Sequence, residues 1–129
     1  MIHGIGTDIV DVGRIASAID KHGERFLDRI LTQTEVMECN ALPPALSAAR
    51  FVAKRFAAKE AFSKAFGTGI GKEVAWYDVG IRHDPLGRPL LIFTDALQAK
   101  LHAQDIGATH VSIADEIGQV IAFVILEKK

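Results

Sequence analysis

A long predicted helix that opens into a glycine-rich loop constrains the fold of this 129-residue chain more than any other feature. The helical pattern covers residues 44–66, roughly six turns, and residues 67–71 follow it as Gly-Thr-Gly-Ile-Gly. A helix that only closes one core keeps its charges on one side. Here charges surround the axis and separate two apolar stripes. We therefore expect packing on more than one surface, including a possible subunit contact, and chemistry near the C-terminal end.

Five segments have the period-two or continuous apolar pattern of strands. They are residues 2–10, 74–83, 90–93, 110–114 and 119–126. The last segment is apolar on both faces, which predicts burial in the sheet or at an interface between subunits. Turns rich in glycine and proline separate several of these segments, which favours antiparallel pairing.

Capping patterns predict shorter helices between the strands. Thr32 is followed three residues later by Glu35, which is the spacing of a capping box. Thr94 or Asp95 is a suitable N-cap for a helix in the second half of the chain. We therefore predict a single α+β domain over residues 1–129, with an antiparallel sheet packed against the long central helix.

Composition limits the classes of partner. The net charge is −1, so no overall field attracts nucleic acid or a membrane, and recognition of a charged partner must be local. A single cysteine, Cys39, excludes an intramolecular disulfide framework and suits a reducing compartment. The sequence shows neither a signal-peptide pattern nor an apolar run of roughly 18 residues that would span a bilayer. We expect a cytoplasmic protein.

Asp8 is the first candidate for chemistry because it lies in an apolar strand. Gly6, Asp8 and Val10 share one strand face, and an inward carboxylate is costly to bury unless it is paired or metal-bound. Asp8 is therefore a candidate metal ligand. The alternative is that it accepts backbone hydrogen bonds in the strand-to-helix turn, a role that suits Asp11 better as an N-cap.

Glu60 and Lys64 lie four residues apart on one face of the long helix. The ordinary interpretation is a surface ion pair that stabilises a helix by a few tenths of a kcal/mol. Beside a glycine-rich loop, the alternative is that the pair holds a divalent cation and donates to a phosphate. Two acidic side chains that leave positions for water and phosphate oxygens would suit Mg²⁺.

The loop Gly67-Thr68-Gly69-Ile70-Gly71 allows the backbone to approach an anion closely. It follows a helix rather than a strand, which excludes the Rossmann and Walker arrangements. A phosphate would therefore be held by loop amides and basic side chains. The alternative is an ordinary helix C-cap, for which the same pattern is common.

Basic residues are concentrated in the N-terminal helical region, at Arg14, Lys21, Arg25 and Arg29. Such a set is usually a solvated face. It also suits an acidic partner protein, which it would attract at a rate that falls as the salt concentration rises.

Together these motifs resemble the holo-[acyl-carrier-protein] synthases, the small single-domain type of 4′-phosphopantetheinyl transferase. Four segments carry the resemblance over nearly the whole chain: residues 4–10, 29–32, 55–71 and 110–113. Each segment is a weak signal alone, and their combination is specific.

The resemblance implies a Mg²⁺-dependent transfer of 4′-phosphopantetheine from coenzyme A to a serine of apo acyl carrier protein, in fatty acid biosynthesis. Adenosine 3′,5′-bisphosphate is the other product. Asp8 and Glu60 would be the Mg²⁺ ligands and share the ion with the pyrophosphate of coenzyme A. Lys64 would neutralise charge on that pyrophosphate or protonate the leaving group. The attacking serine belongs to the partner, so the chain needs no nucleophile of its own.

The resemblance also implies how coenzyme A is held. Arg55 and the loop of Gly67, Thr68 and Gly69 would bind its phosphates. The phosphate itself carries the covalent change, so the protein mainly supplies positioning and neutralisation of charge.

Partners follow from the same resemblance. Arg14, with Lys21 and Arg25 nearby, would receive the acidic carrier protein. Members of this type are typically homotrimers with active sites between subunits, which would explain a helix with two apolar stripes. The alternative function is a non-catalytic oligomeric module that binds a nucleotide without transferring a group.

The chain departs from the family pattern at two places. Some members have a histidine where this chain has Asp115, so a role for that histidine does not carry over. Leu46 and Ser47 replace a basic pair that some members place ahead of the long helix. Contacts to the 3′-phosphate of coenzyme A would then come from Arg50 or Lys54.

Overall fold

The computed structural model describes residues 1–129 and contains five strands and five α-helices. In chain order these are β1 (Ile2–Asp11), α1 (Val12–His22), α2 (Glu24–Ile30), α3 (Gln33–Asn40), α4 (Ala48–Phe66), β2 (Val79–His83), β3 (Pro89–Phe93), α5 (Asp95–Ala103), β4 (Ile106–Asp115) and β5 (Gln119–Lys128).

All strand pairs are antiparallel. One sheet has the order β1-β5-β4, with Asp8 opposite Ala122, and β2 and β3 form a separate hairpin. Helix α4 packs across β1 and β5. The predicted α+β class, with an antiparallel sheet against a long central helix, is therefore confirmed. None of the helices has the length and apolarity that a membrane span requires.

Helix α4 begins later than the sequence pattern predicted. Ser47 is its N-cap and accepts a hydrogen bond from the Arg50 amide, so the helix starts at Ala48 rather than near residue 44. Its last residue is Phe66, and the C-cap Gly67 has the left-handed φ of 106° that favours glycine. Most of its residues are buried within this one chain. The second predicted packing surface is thus largely intramolecular.

Strand β1 lies unusually close to α4. A Cβ atom at Gly4 would be 2.0 Å from the carbonyl oxygen of Ala65, and one at Gly6 would be 2.0 Å from that of Ala61. Only residues without a side chain permit this backbone contact. It places the second half of β1, with Asp8, beside the last turns of α4.

Only the second half of one predicted strand forms a strand in the structure. The alternation over residues 74–83 predicted an extended segment, but Trp76–Asp78 forms a 3₁₀ turn and β2 begins at Val79. The Asp78 carboxylate stabilises the turn, since it accepts hydrogen bonds from the Ala75 amide and the Thr94 hydroxyl. Side-chain bonding of this kind competes with the strand ladder.

Strand β5 has one buried face and one exposed apolar face. Val120, Ala122, Val124 and Leu126 are buried under α4, so the predicted burial of both faces does not occur within a single chain. On the other side lies what we call the outer sheet face, whose apolar residues are Ile5, Ile9, Ile121 and Phe123. They are 58%, 62%, 44% and 37% exposed.

Candidate active site at the end of the long helix

Asp8 and Lys64 meet where β1 crosses α4. The Lys64 ammonium donates hydrogen bonds to Asp8 Oδ1 at 3.2 Å and to the Thr7 carbonyl oxygen at 3.0 Å. The Asp8 side chain is only 15% exposed, whereas Lys64 is half exposed. Two residues 56 positions apart in the sequence are therefore in direct contact.

Glu60 lies one helical turn before Lys64 and completes the cluster. Burial raises the pKa of Glu60, the nearby Asp8 carboxylate raises it further, and Lys64 opposes both effects. Burial likewise raises the pKa of Asp8, while the hydrogen bond and charge of Lys64 lower it. The two carboxylates are thus close enough to repel each other, and a shared cation would relieve that repulsion.

The donor set fits a divalent cation that a substrate helps to hold. No group of three or more His, Cys, Asp or Glu side chains surrounds any point of the structure, so the protein does not supply a complete coordination shell. Asp8 and Glu60 offer hard carboxylate oxygens. Mg²⁺ is commonly held by one or two carboxylates together with water and substrate phosphates. The residues present suit this mode.

The amides of the glycine-rich loop point inward. The N–H groups of Gly67, Thr68 and Gly69 all donate to the Ser63 carbonyl oxygen, at 3.0, 3.3 and 3.1 Å. These three amides therefore close the end of α4 in this structure, and phosphate binding by the loop stays a prediction. The Thr68 hydroxyl, which donates to the Gly69 carbonyl oxygen at 2.9 Å, is exposed.

Arg55 lies about 13 Å along α4 from Lys64, so it is not part of the cluster of Asp8, Glu60 and Lys64. Its side chain is only 4% exposed, and its guanidinium carbon lies 4.3 Å from the centre of the Phe51 ring. The Nε atom is 3.4 Å from Glu35 Oε2 but forms no hydrogen bond. Burial lowers the pKa of Arg55, and the charge of Glu35 counteracts that shift.

A basic cleft of about 360 Å³ opens beside Arg55. Its charged and titratable lining residues are Arg50, Lys54, Arg55 and His83. Burial lowers the pKa of His83, and Arg55 adds to the shift. The remaining lining is Leu42, Leu46, Ser47 and Phe51. Positive charge beside apolar walls suits a phosphorylated ligand with a flat ring.

Arg14 lines a second cleft that includes Asp8 itself. This cleft has a volume of about 300 Å³ and a mostly apolar lining, with Asp11 as the other charged member. Lys21 and Arg25 are exposed, and Arg25 borders a smaller cleft with His22 and Arg29. Of the predicted docking residues, Arg14 alone shares a cleft with Asp8.

Comparison with known proteins identifies the family. The model of the 4′-phosphopantetheinyl transferase superfamily matches residues 4–120. The holo-[acyl-carrier-protein] synthase of Azoarcus sp. (strain BH72) is 46% identical over 129 residues, covering 100% of both chains. That of Nitrosospira multiformis is 47% identical over 129 residues, covering 99% of this chain and 100% of the relative. The chain belongs to the holo-[acyl-carrier-protein] synthases.

Solved structures of the family agree with this assignment. The holo-[acyl-carrier-protein] synthase of Neisseria meningitidis has a TM-score of 0.94 at 45% identity, covering 99% of this chain and 100% of that chain. The Bacillus anthracis synthase, solved in complex with coenzyme A (3′,5′-ADP), has a TM-score of 0.83 at 41% identity, with coverages of 100% and 99%. The Helicobacter pylori synthase, solved with coenzyme A, has a TM-score of 0.82 at 32% identity, with coverages of 95% and 99%.

Asp115, where some family members have histidine, connects the β4–β5 turn to α4. It lies 3.1 Å from Arg50 and 3.7 Å from Lys54. Arg50 also donates to the carbonyl oxygens of Glu116, at 2.7 Å, and Ile117, at 2.5 Å. Of the two residues expected near a 3′-phosphate, Arg50 is therefore already engaged in the turn, and Lys54 has only the longer contact.

Sequence reasoning missed a buried ion pair that holds α4 in place. Lys59 is fully buried and donates to Glu35 Oε1 at 2.6 Å, with further bonds to the carbonyl oxygens of Ile30, at 2.7 Å, and Trp76, at 3.3 Å. Glu35 was predicted only as part of a capping box. The one sequence signal is a lysine inside the densely apolar part of α4, without an acidic residue one turn away to pair with it.

Proposed function

We propose that this chain transfers the 4′-phosphopantetheine group of coenzyme A to a serine of apo acyl carrier protein, with Mg²⁺, as a step of fatty acid biosynthesis. Holo acyl carrier protein and adenosine 3′,5′-bisphosphate are the products. The observation that carries the proposal is the convergence of Asp8, Glu60 and Lys64, in a chain of the holo-[acyl-carrier-protein] synthase family.

Asp8 and Glu60 would hold the Mg²⁺ ion, which when bound neutralises charge on the diphosphate. The serine oxygen forms a bond to the phosphorus that carries pantetheine, the bond from that phosphorus to the oxygen of adenosine 3′,5′-bisphosphate breaks, and the serine hydroxyl proton passes to water. The Lys64 ammonium would stabilise the negative charge on the leaving oxygen or give it a proton. Positioning and fixed charge of this kind are the main contributions of a protein to phosphoryl transfer.

We assign the nucleotide end of coenzyme A to the basic cleft. Arg55 lines this cleft, so its guanidinium charge would attract a phosphate that binds there. Lys54 is the second cation of the cleft that could contact the 3′-phosphate, since Arg50 is bound to the turn. The Bacillus anthracis relative was solved in complex with coenzyme A (3′,5′-ADP), and the Helicobacter pylori relative in complex with coenzyme A.

The glycine-rich loop has a smaller role in this proposal than in the sequence interpretation. Gly67 and Gly69 lack side chains, so a diphosphate can approach the backbone next to Lys64. The exposed Thr68 hydroxyl supplies a hydrogen bond to it. The loop amides take part only if their bonds to Ser63 open.

The acidic carrier protein would dock on α1. Arg14 lies in the same cleft as Asp8, so a carrier protein held there has its serine close to the metal ligands. Lys21 near the end of α1 and Arg25 in α2 extend the positive charge. Attraction of this kind raises the association rate most strongly at low salt.

We further propose that the outer sheet face assembles the chain into a homotrimer. The isoleucines and Phe123 of that face form an exposed apolar surface on a regular sheet, which is characteristic of an interaction site. We place the reaction in the cytoplasm, whose reducing conditions suit the free thiol of Cys39.

Mass spectrometry of an apo acyl carrier protein, incubated with the enzyme, coenzyme A and Mg²⁺, tests the proposal. We expect a mass gain of one phosphopantetheine, and no gain after chelation of the metal or with Glu60→Gln. Glu73→Gln is the matched control, since Glu73 is exposed and pairs only with Lys100. Binding of coenzyme A without any mass gain would instead favour the non-catalytic nucleotide-binding module.

A further inference from the structure

We propose that Lys64 competes with the divalent cation for Asp8. In the free enzyme the Lys64 ammonium is bound to the Asp8 carboxylate. The ammonium moves to the diphosphate of the substrate when the cation and coenzyme A bind. This inference rests on the proposed function, because it takes Asp8 and Glu60 as the metal ligands.

The contacts of the two carboxylates are unequal. Asp8 is bound by Lys64 at 3.2 Å, and the same ammonium bonds to the neighbouring Thr7 carbonyl oxygen at 3.0 Å. Glu60 has no hydrogen bond or ion pair to its side chain. Lys64 has no other acidic partner than Asp8. A positive charge therefore already lies at one of the two carboxylates, Asp8.

A cation that arrives alone must separate this pair. Asp8 would lose its hydrogen bond to Lys64, and the released ammonium would lie beside a divalent ion without an anion to contact. Repulsion between the two positive charges then weakens binding of the metal. The enzyme alone should consequently bind a divalent cation poorly, although it has two converging carboxylates.

The free energy of cation binding is different when the cation arrives together with coenzyme A. The diphosphate supplies oxygens to the metal and also gives the displaced Lys64 an anionic partner. The Lys64 side chain is 50% exposed, so it has room to move, and a lysine has a flexible stem with rotatable donors. Cation and coenzyme A should therefore bind cooperatively, and Lys64 should reach the leaving group only in the ternary complex.

Measurement of Mn²⁺ binding by electron paramagnetic resonance tests this, because free Mn²⁺ is counted directly and no turnover is needed. Lys64→Met should bind Mn²⁺ alone about three- to tenfold more tightly than the wild type, if the pair has the strength of a partly exposed salt bridge. The increase in Mn²⁺ affinity that coenzyme A causes should shrink in this variant. Lys100→Met is the control, since it removes an equal charge from an exposed pair with Glu73.

Two further measurements distinguish direct contact between Lys64 and Asp8 from a general effect of charge. The increase in affinity should persist at high salt, where interactions between exposed, distant charges are screened. In the wild type, Mg²⁺ with coenzyme A should shift the side-chain nitrogen resonance of Lys64 and leave that of Lys100 in place. Loss of the increase at high salt, or an unshifted Lys64 resonance, overturns the inference.

Failure of the inference differs from failure of the proposed function. One outcome is that Glu60→Gln abolishes Mn²⁺ binding while the affinity of Lys64→Met for Mn²⁺ is equal to or lower than that of the wild type. In that case the metal site stands and the competition does not exist. If the wild type binds no Mn²⁺ even with coenzyme A, or Glu60→Gln binds it normally, the metal site itself is wrong and both proposals fall.

Discussion

A Cβ atom at Gly6 would lie 2.0 Å from the carbonyl oxygen of Ala61, so β1 and α4 are in contact through their backbones. Gly6 is two residues from Asp8, and Ala61 directly follows Glu60. The contact therefore sets the separation of the two carboxylates. A shift of either element would therefore move Asp8 or Glu60, since each lies within two residues of the contact.

Gly6→Ala should impair both stability and activity. The added methyl group would have to push the strand from the helix backbone, and overpacking of this kind typically costs about 1–3 kcal/mol. We expect a loss in free energy of unfolding at the upper end of that range, and loss of transfer activity at temperatures where the variant is still folded. Urea unfolding and carrier-protein mass spectrometry measure the two effects.

Gly118→Ala is the control for that substitution, because nothing lies within 4 Å of its Cβ position and its φ is not in the left-handed region. Full activity and wild-type stability in Gly6→Ala would mean that the backbone contact does not set the position of Asp8.

Features that depend on neighbouring residues were predictable from the sequence. The capping box forms with both of its bonds, at 3.2 and 3.0 Å between Thr32 and Glu35, because its groups are three residues apart. Asp11 caps α1 through the Gly13 amide at 2.8 Å. The proximity of Asp8 to Glu60 was expected only from the family resemblance, since no spacing rule links residues so far apart.

Features that depend on distant partners were not predictable. No acidic residue lies one helical turn from Lys59, and only the folded chain brings Glu35 to it, across 24 residues. The direction of the loop amides depends on how the helix end closes on Ser63. The charges around α4 led us to predict chemistry along this helix. Two of the charged residues, Arg55 and Lys59, are instead buried against Glu35.

Lys59→Met should destabilise the protein strongly. Removal of one member of a buried ion pair leaves the other charge without compensation, which typically costs about 3–5 kcal/mol. Glu35 would keep only the longer contact with Arg55 and its backbone donors. Urea unfolding measures the loss. Lys100→Met, which breaks an exposed pair, should change stability by less than about 1 kcal/mol. Equal effects of the two substitutions would contradict the importance of burial.

Glu60→Gln should retain or raise stability while it abolishes transfer. Burial and Asp8 raise the folded-state pKa of Glu60, so the folded state holds a proton more readily than the unfolded chain. Ionisation of Glu60 therefore lowers stability as the pH rises from its unfolded pKa through its raised folded pKa. Glutamine removes that cost. Urea unfolding at neutral and weakly acidic pH should show a flatter dependence in this range than the wild type. Lower stability than wild type at neutral pH would show that Glu60 stabilises the fold.

Phe123→Asp should break the proposed trimer. A carboxylate in the centre of the outer sheet face would be buried without a partner in the assembly, but it would be solvated in a monomer. Sedimentation equilibrium should give a monomer mass for this variant and a trimer mass for the wild type. Ile117→Asp is the control, because Ile117 is 92% exposed in the β4–β5 turn and lies outside that face. A monomeric wild type, or a trimeric Phe123→Asp variant, would refute assembly through this face.

Arg14→Glu should weaken binding of acyl carrier protein without affecting coenzyme A. The substitution places a negative charge beside Asp8 and Asp11 in the cleft where the acidic partner would dock, so both attraction and local charge balance are lost. Titration of carrier protein at low and high salt should show a large loss of affinity that shrinks as salt increases. Lys128→Glu makes the same change of charge at an exposed site on β5 and should have little effect. If Arg14→Glu and Lys128→Glu reduce affinity equally, α1 is not the docking site and only net charge matters.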